Sequence, residues 1–350
     1  MNDSHILLSK NQTLFFKGIA ILCILFHNFF HWLPPLVNCE NEMYFNSKCV
    51  KIFISEFNFL SVPNVVFSLF GFYGVFLFIF LSGYGLTKSF CRSNLSKYSF
   101  IIKHIWKIYK LFLISAALFL LLNIKHLSSY ILPVLKSLSL TNNFSVVSVF
   151  SINGPWWFFS LIIQLYLWFI PIVLLLKKDK VNFVYILLVY FIFAYFIAYY
   201  GARTVFYANS LGHLPEFSLG VYLALYEKEL TFIKKLKYLF VLFLSSLAIV
   251  IGAQFYFVPF ILSFLASVIL FLSFFFITKK TSCRFIEFTG SISPYLFGIN
   301  GFLYRRYFVN LAKGLNFIYA DIMCCLMWLC LCYSISYLMY ALLHKKYKII

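Results

Sequence analysis

The run Leu14–Trp32, LFFKGIAILCILFHNFFHW, decides the class of this chain. Wound as an α-helix, an apolar stretch of about 20 residues matches the roughly 30 Å hydrocarbon thickness of a bilayer. Set into it are a cation, Lys17, and two histidines, His27 and His31, one turn apart on one helical face. Ionisable groups in lipid are costly and mark ion, proton or substrate paths. Histidine is also the side chain whose proton moves near neutral pH, so His27 is a candidate for acid–base chemistry. A histidine that merely packs and hydrogen-bonds within a helix bundle is the competing explanation.

Composition extends this reading to the whole chain. Of 350 residues, 63% are hydrophobic, 22% aromatic and 11% charged, with a mean hydropathy of +0.91. These values lie far outside the soluble range. Apolar runs recur to the C-terminus, which excludes a secreted protein with a cleaved leader. No alternating pattern of a membrane β-barrel is present. The expected class is all-α, a polytopic transmembrane helix bundle whose first partner is the lipid bilayer. The net charge of +19 is then a property of cytoplasmic loops rather than of a nucleic-acid surface.

About ten spans are predicted, at 14–33, 64–86, 105–123, 156–176, 181–200, 204–226, 236–254, 256–278, 286–308 and 317–343. The segment 124–154 is too broken and polar to join them. No internal repeat divides the chain, so residues 1–350 read as one domain. With the N-terminus in the cytoplasm, Lys and Arg divide 21 inside against 8 outside, and both termini are expected inside. Arg305, Arg306 and Lys313 fall outside in this arrangement, marking either an anionic ligand or a misplaced span. Cys39 and Cys49 share one polar loop and can bridge if it faces an oxidising compartment. The other cysteines have no metal-ligand spacing, and no metal is expected.

Four further segments carry possible chemistry. GFYGVFLFIFLSGYG, residues 71–85, offers small residues for close helix packing, and Ser82 lacks the G-x-S-x-G setting of a nucleophile. KHIWKIYK, residues 103–110, places His104 and Lys107 on one side of a helix, where cations suit a phosphorylated ligand or anchor the helix to lipid. Trp157 lies in an aromatic entry, Pro155 to Phe159, of the kind that belts an interface. Glu216, in GHLPEFSLG, is an acid at depth beside a helix-breaking proline.

Taken in order, these segments resemble the acyltransferase-3 family of integral membrane O-acyltransferases, of the surface-polysaccharide type. FKGIAILCILFHNFFHW is similar to the family's first-helix basic-and-histidine motif, and GVFLFIFLSGYGL to its Phe-rich Ser-Gly motif. KHIWKIYK resembles its R-x-x-R segment, PWWFFSLIIQLYLWFIP its Trp-Phe helix, and FTGSISPYLFGIN its late Gly-Ser segment. The resemblance spans nearly the whole chain. It implies transfer of an acyl group, usually acetyl from acetyl-CoA, to a hydroxyl of a cell-surface or lipid-linked glycan at a bacterial inner membrane. His27 matches the catalytic histidine and would act as general base. Lys17 matches the first-helix basic position, and His104 and Lys107 the two arginines that meet the phosphates of CoA. The substrate-binding set is therefore Lys17, His31, His104, Lys107, Trp157 and Glu216.

Three departures stand out. Lys17 precedes His27 by ten residues where the family has eleven, which leaves the pair about 80° apart around the helix. Replacing both arginines removes bidentate phosphate recognition. Asn300 stands where many members carry a histidine. A saccharide or lipid transporter without transferase activity is the alternative from another class, since broken helices and buried ionisable groups suit it too.

Overall fold

A computed structural model describes residues 7–37, 39, 45–57, 61–200, 203–230, 235–278, 283–315 and 319–345. Its helices are α1 Lys10–Phe30, α2 Lys48–Glu56, α3 Val62–Phe70, α4 Tyr73–Phe90, α5 Lys97–Leu122, α6 Leu127–Leu138, α7 Trp157–Lys178 and α8 Asn182–Tyr200. They continue as α9 Arg203–Tyr207, α10 Leu214–Tyr226, α11 Leu236–Gly252, α12 Phe257–Thr278, α13 Arg284–Ile299, α14 Arg305–Gly314 and α15 Ala320–Lys345. No strand occurs among the described residues.

Among the described residues five helices are long and apolar enough to cross a membrane: α1, α5, α7 with its leading turn, α12 and α15. The pair α3–α4 passes the same test but bends by 49° at its break, and α8 and α11 are shorter apolar helices. The expected spans 204–226 and 286–308 are not continuous. The first divides into α9, a 3-10 turn at Ser210–His213 and α10, whose 13 residues cover only about 20 Å. Pro215 in the first turn of α10 starts a new helix instead of continuing the old one. The second ends at Ile299 and resumes at Arg305 after a left-handed Tyr304, at φ 53°. Helix α1 begins four residues before the expected start. Ser9 and Gln12 form a reciprocal capping box there, satisfying the end of a polar first turn.

Close backbone approach holds the centre. Helices α1 and α13 run parallel, meeting at Gly18 and Ile286 near their starts and at Asn28 and Asn300 near their ends. A methyl group on Gly18 would land on the Ile286 carbonyl, and one on Gly290 on the Leu14 carbonyl. Helices α4 and α10 are also parallel, with Phe76 against His213 at one end and Lys88 paired to Glu227 at the other. Between those ends Gly83 rests on the Phe217 carbonyl and Gly220 on the Phe80 carbonyl. Without a hydrophobic driving force between helices in lipid, such small-residue contacts supply the packing.

Both ends of the bundle are fastened. Glu227 accepts hydrogen bonds from the Tyr84 hydroxyl at 2.9 Å and the Leu7 amide at 3.3 Å, besides its ion pair with Lys88. At the opposite end Cys39 and Cys49 form a disulfide with Cα atoms 5.6 Å apart, over a small core of Leu36, Val65 and Leu69.

Gly83→Ala is expected to destabilise the protein by about 2 kcal/mol, because the methyl meets backbone that cannot step aside. Gly85→Ala, two residues along the same helix with nothing within 4 Å of the added carbon, should be neutral or slightly stabilising. Thermal unfolding of the detergent-solubilised variants compares the two.

Candidate active site

His27 lies in the last full turn of α1, where that helix is crossed by the α3–α4 break. The break brings Gly71 against the Cys23 carbonyl and the His27 Cβ, a contact open only to glycine. One turn earlier the Phe67 carbonyl reaches His27 Nδ1 at 3.1 Å while still accepting the Gly71 amide at 3.0 Å. A carbonyl can only accept, so Nδ1 carries the hydrogen. In the neutral imidazole the lone pair is then on Nε2, the form a general base requires. His31 repeats the pattern: its Nδ1 donates to the His27 carbonyl at 2.6 Å, and the two rings stack with centroids 4.8 Å apart.

Both histidines line a cavity of about 810 Å³. Its walls are the end of α1, the end of α5 from Phe119, the segment 150–155 before α7, and residues 301–307. Trp157 forms part of it, its backbone held by the Asn143 side chain at 2.8 Å. Arg305 and Arg306 belong to this cavity as well. Arg305 is buried with its guanidinium 5.3 Å above the Trp32 ring, whereas Arg306 is exposed. Beside the cavity lies a crevice of about 20 Å³, bounded by Ile24, His27, Asn28, Phe72, Val75, Trp157 and Phe158 among others. That is room for about one water molecule.

The expected site residues therefore separate. His27, His31 and Trp157 share the cavity. Lys17, His104 and Lys107 do not. Ten residues of helix place Lys17 about 15 Å from His27 along α1, so the pair makes no direct partnership. Lys107 is twelve residues before Phe119, about 18 Å along α5. The half-buried Lys17 and the exposed Lys107 lie near each other instead, away from the cavity. The His104 ring bonds to the Phe100 carbonyl of its own helix at 2.8 Å.

Glu216 occupies a third place, fully buried and 3.8 Å from His213 Nδ1. The other ring nitrogen of His213 donates to the Tyr207 carbonyl at 2.7 Å. The ring lies among the faces of Trp157, Phe76 and Phe264. Trp157 thus stands between the His27 cavity and this buried pair. Sequence reasoning missed His213, whose only signal was its spacing of three from Glu216. It also missed Asn28, an amide inside the same apolar run as His27. Among the described residues no three His, Cys, Asp or Glu side chains converge as metal ligands.

A family model described as an acyltransferase domain, of the acyltransferase-3 type, matches residues 15–339. No curated protein and no solved structure matches the chain.

His213→Phe is expected to lower stability by about 3 kcal/mol, because it leaves the Glu216 carboxyl buried without its imidazole. Adding Glu216→Leu should recover most of the loss by removing the orphaned group. Thermal unfolding of the single and double variants in detergent measures both.

Proposed function

The chain belongs to the acyltransferase-3 family, and on that footing we propose that it is an O-acetyltransferase. The donor in this reading is acetyl-CoA, and the acceptor is a hydroxyl of a cell-surface or lipid-linked glycan at the outer face of a bacterial inner membrane. The observation that carries the reading is the bond from His27 Nδ1 to the Phe67 carbonyl, made at the wall of a cavity large enough for a sugar. It fixes the tautomer in which Nε2 is basic.

In the reaction Nε2 takes the proton of the acceptor hydroxyl as its oxygen attacks the thioester carbonyl. The tetrahedral intermediate collapses, the C–S bond breaks, and the CoA thiolate receives that proton. An ester and a free thiol result. The cations Lys17 and Lys107, with His104 on the same stretch of α5, suit the phosphates of CoA at the inner mouth. Residues 1–350 then act as one transmembrane domain of about ten crossings, the shorter and broken helices included, with both termini in the cytoplasm. The excess of Lys and Arg on that side supports this orientation. The Cys39–Cys49 disulfide supports an oxidising outer compartment for the opposite loop.

In a strain lacking the gene, His27→Ala expressed at the wild-type level should lower acetylation of surface polysaccharide by about 100-fold or more, read by mass spectrometry. Full acetylation by that variant overturns the assignment of the base. Topology has its own test. Cys91 and Cys283, exposed and free, should react with a membrane-impermeant maleimide only after the cells are permeabilised. Cys39 and Cys49 should react from outside, and only after reduction.

A further inference from the structure

We infer that Asn28 selects the acyl acceptor: its side-chain oxygen takes a hydrogen bond from a second hydroxyl beside the one acylated, so the cavity prefers vicinal diols. This rests on the reading of His27 as the base of acyl transfer.

The orientation of the Asn28 amide is dictated by a backbone carbonyl two bonds away. Asn300, fully buried, donates from Nδ2 to the Phe297 carbonyl at 2.7 Å. The carbonyl cannot donate, so that end of Asn300 must be its NH2, and Oδ1 is turned toward α1. Asn28 answers by donating its own Nδ2 to that oxygen at 2.7 Å. Its Oδ1 is consequently directed away from Asn300. Asn28 is half-buried and lines both the cavity and the crevice, whereas Asn300 lines neither. No described residue donates a hydrogen bond to this oxygen.

Asn28, carrying this oxygen, and His27 therefore line one cavity from adjacent residues of one helix. A ligand complementary to both carries two neighbouring hydrogen-bond donors. Adjacent hydroxyls of a sugar ring meet that need: one gives its proton to the imidazole and attacks, and the other is held by the amide. An amide N–H of the pantetheine arm of CoA has the same donor chemistry, and the experiment separates the two sources.

The enzyme reconstituted in lipid vesicles is assayed with acetyl-CoA and two acceptors, a methyl hexoside with a free vicinal diol and its monodeoxy counterpart. The wild type is expected to favour the diol by about tenfold or more in kcat/KM. Asn28→Ala should abolish the preference by lowering activity on the diol alone. Asn300→Ala, which touches no ligand, should weaken it by letting the amide turn over. Equal loss on both acceptors, or a raised KM for acetyl-CoA with the preference intact, overturns the inference. The natural glycan gives a measurement free of variants. Acetyl groups located by NMR should sit on hydroxyls with a free neighbour, and acetylation confined to isolated hydroxyls overturns the inference. Activity surviving in His27→Ala removes the base reading instead, and the preference of that variant still decides the role of Asn28.

Discussion

Backbone contact between helices, at glycines where no side chain intervenes, is the constraint from which the arrangement of this bundle follows. Gly18 and Gly290 let α1 lie on α13, and Gly71 lets the α3–α4 break press on α1 beside His27. A methyl at any of these positions would separate helices whose polar groups must meet within about 3 Å. The bond from His27 to Phe67 and the bond from Asn28 to Asn300 both span such a contact. In lipid, where apolar side chains gain nothing by leaving the solvent for one another, this packing takes the place of a hydrophobic core.

Main-chain carbonyls orient the polar side chains at the end of α1. His27 is referred to the Phe67 carbonyl directly, and Asn28 to the Phe297 carbonyl through one amide. A carbonyl has one possible role in a hydrogen bond, so each chain has one possible sense. An acid in that position would do the same work only while ionised, at a cost in a medium of low dielectric. Among the described residues, the deeply buried acid Glu216 stands behind Trp157 with His213 and does not line the cavity.

What the sequence disclosed was whatever depends on local apolar content. The helical class, the first span and the cost of placing His27 within it were all legible from Leu14–Trp32 alone. Helix breaks were only partly legible. Pro215 announced one within 204–226, but the run also divides at Asn209, where the Gln164 side chain and the Asn143 backbone satisfy the freed polar groups from distant segments. Asn28 escaped notice for the same reason. Its partner is 272 residues away, and nothing in the neighbouring sequence announces it. The ten-residue spacing already set Lys17 about 80° around the helix from His27, and about 15 Å of helix keeps them apart; that Lys17 lies near Lys107 of a distant helix was not legible.

The crevice beside His27 has a meaning for the cell as well as for the substrate. A membrane that stores energy as a difference in ion concentration loses it through any continuous column of water. Aromatic and aliphatic side chains, Phe72, Val75 and Phe158 among them, leave room for about one water molecule beside His27. Carbon chains and thioesters can part such a seal because they need no hydration shell, whereas ions cannot enter it without shedding theirs. Such a constriction would leave the stored gradient intact.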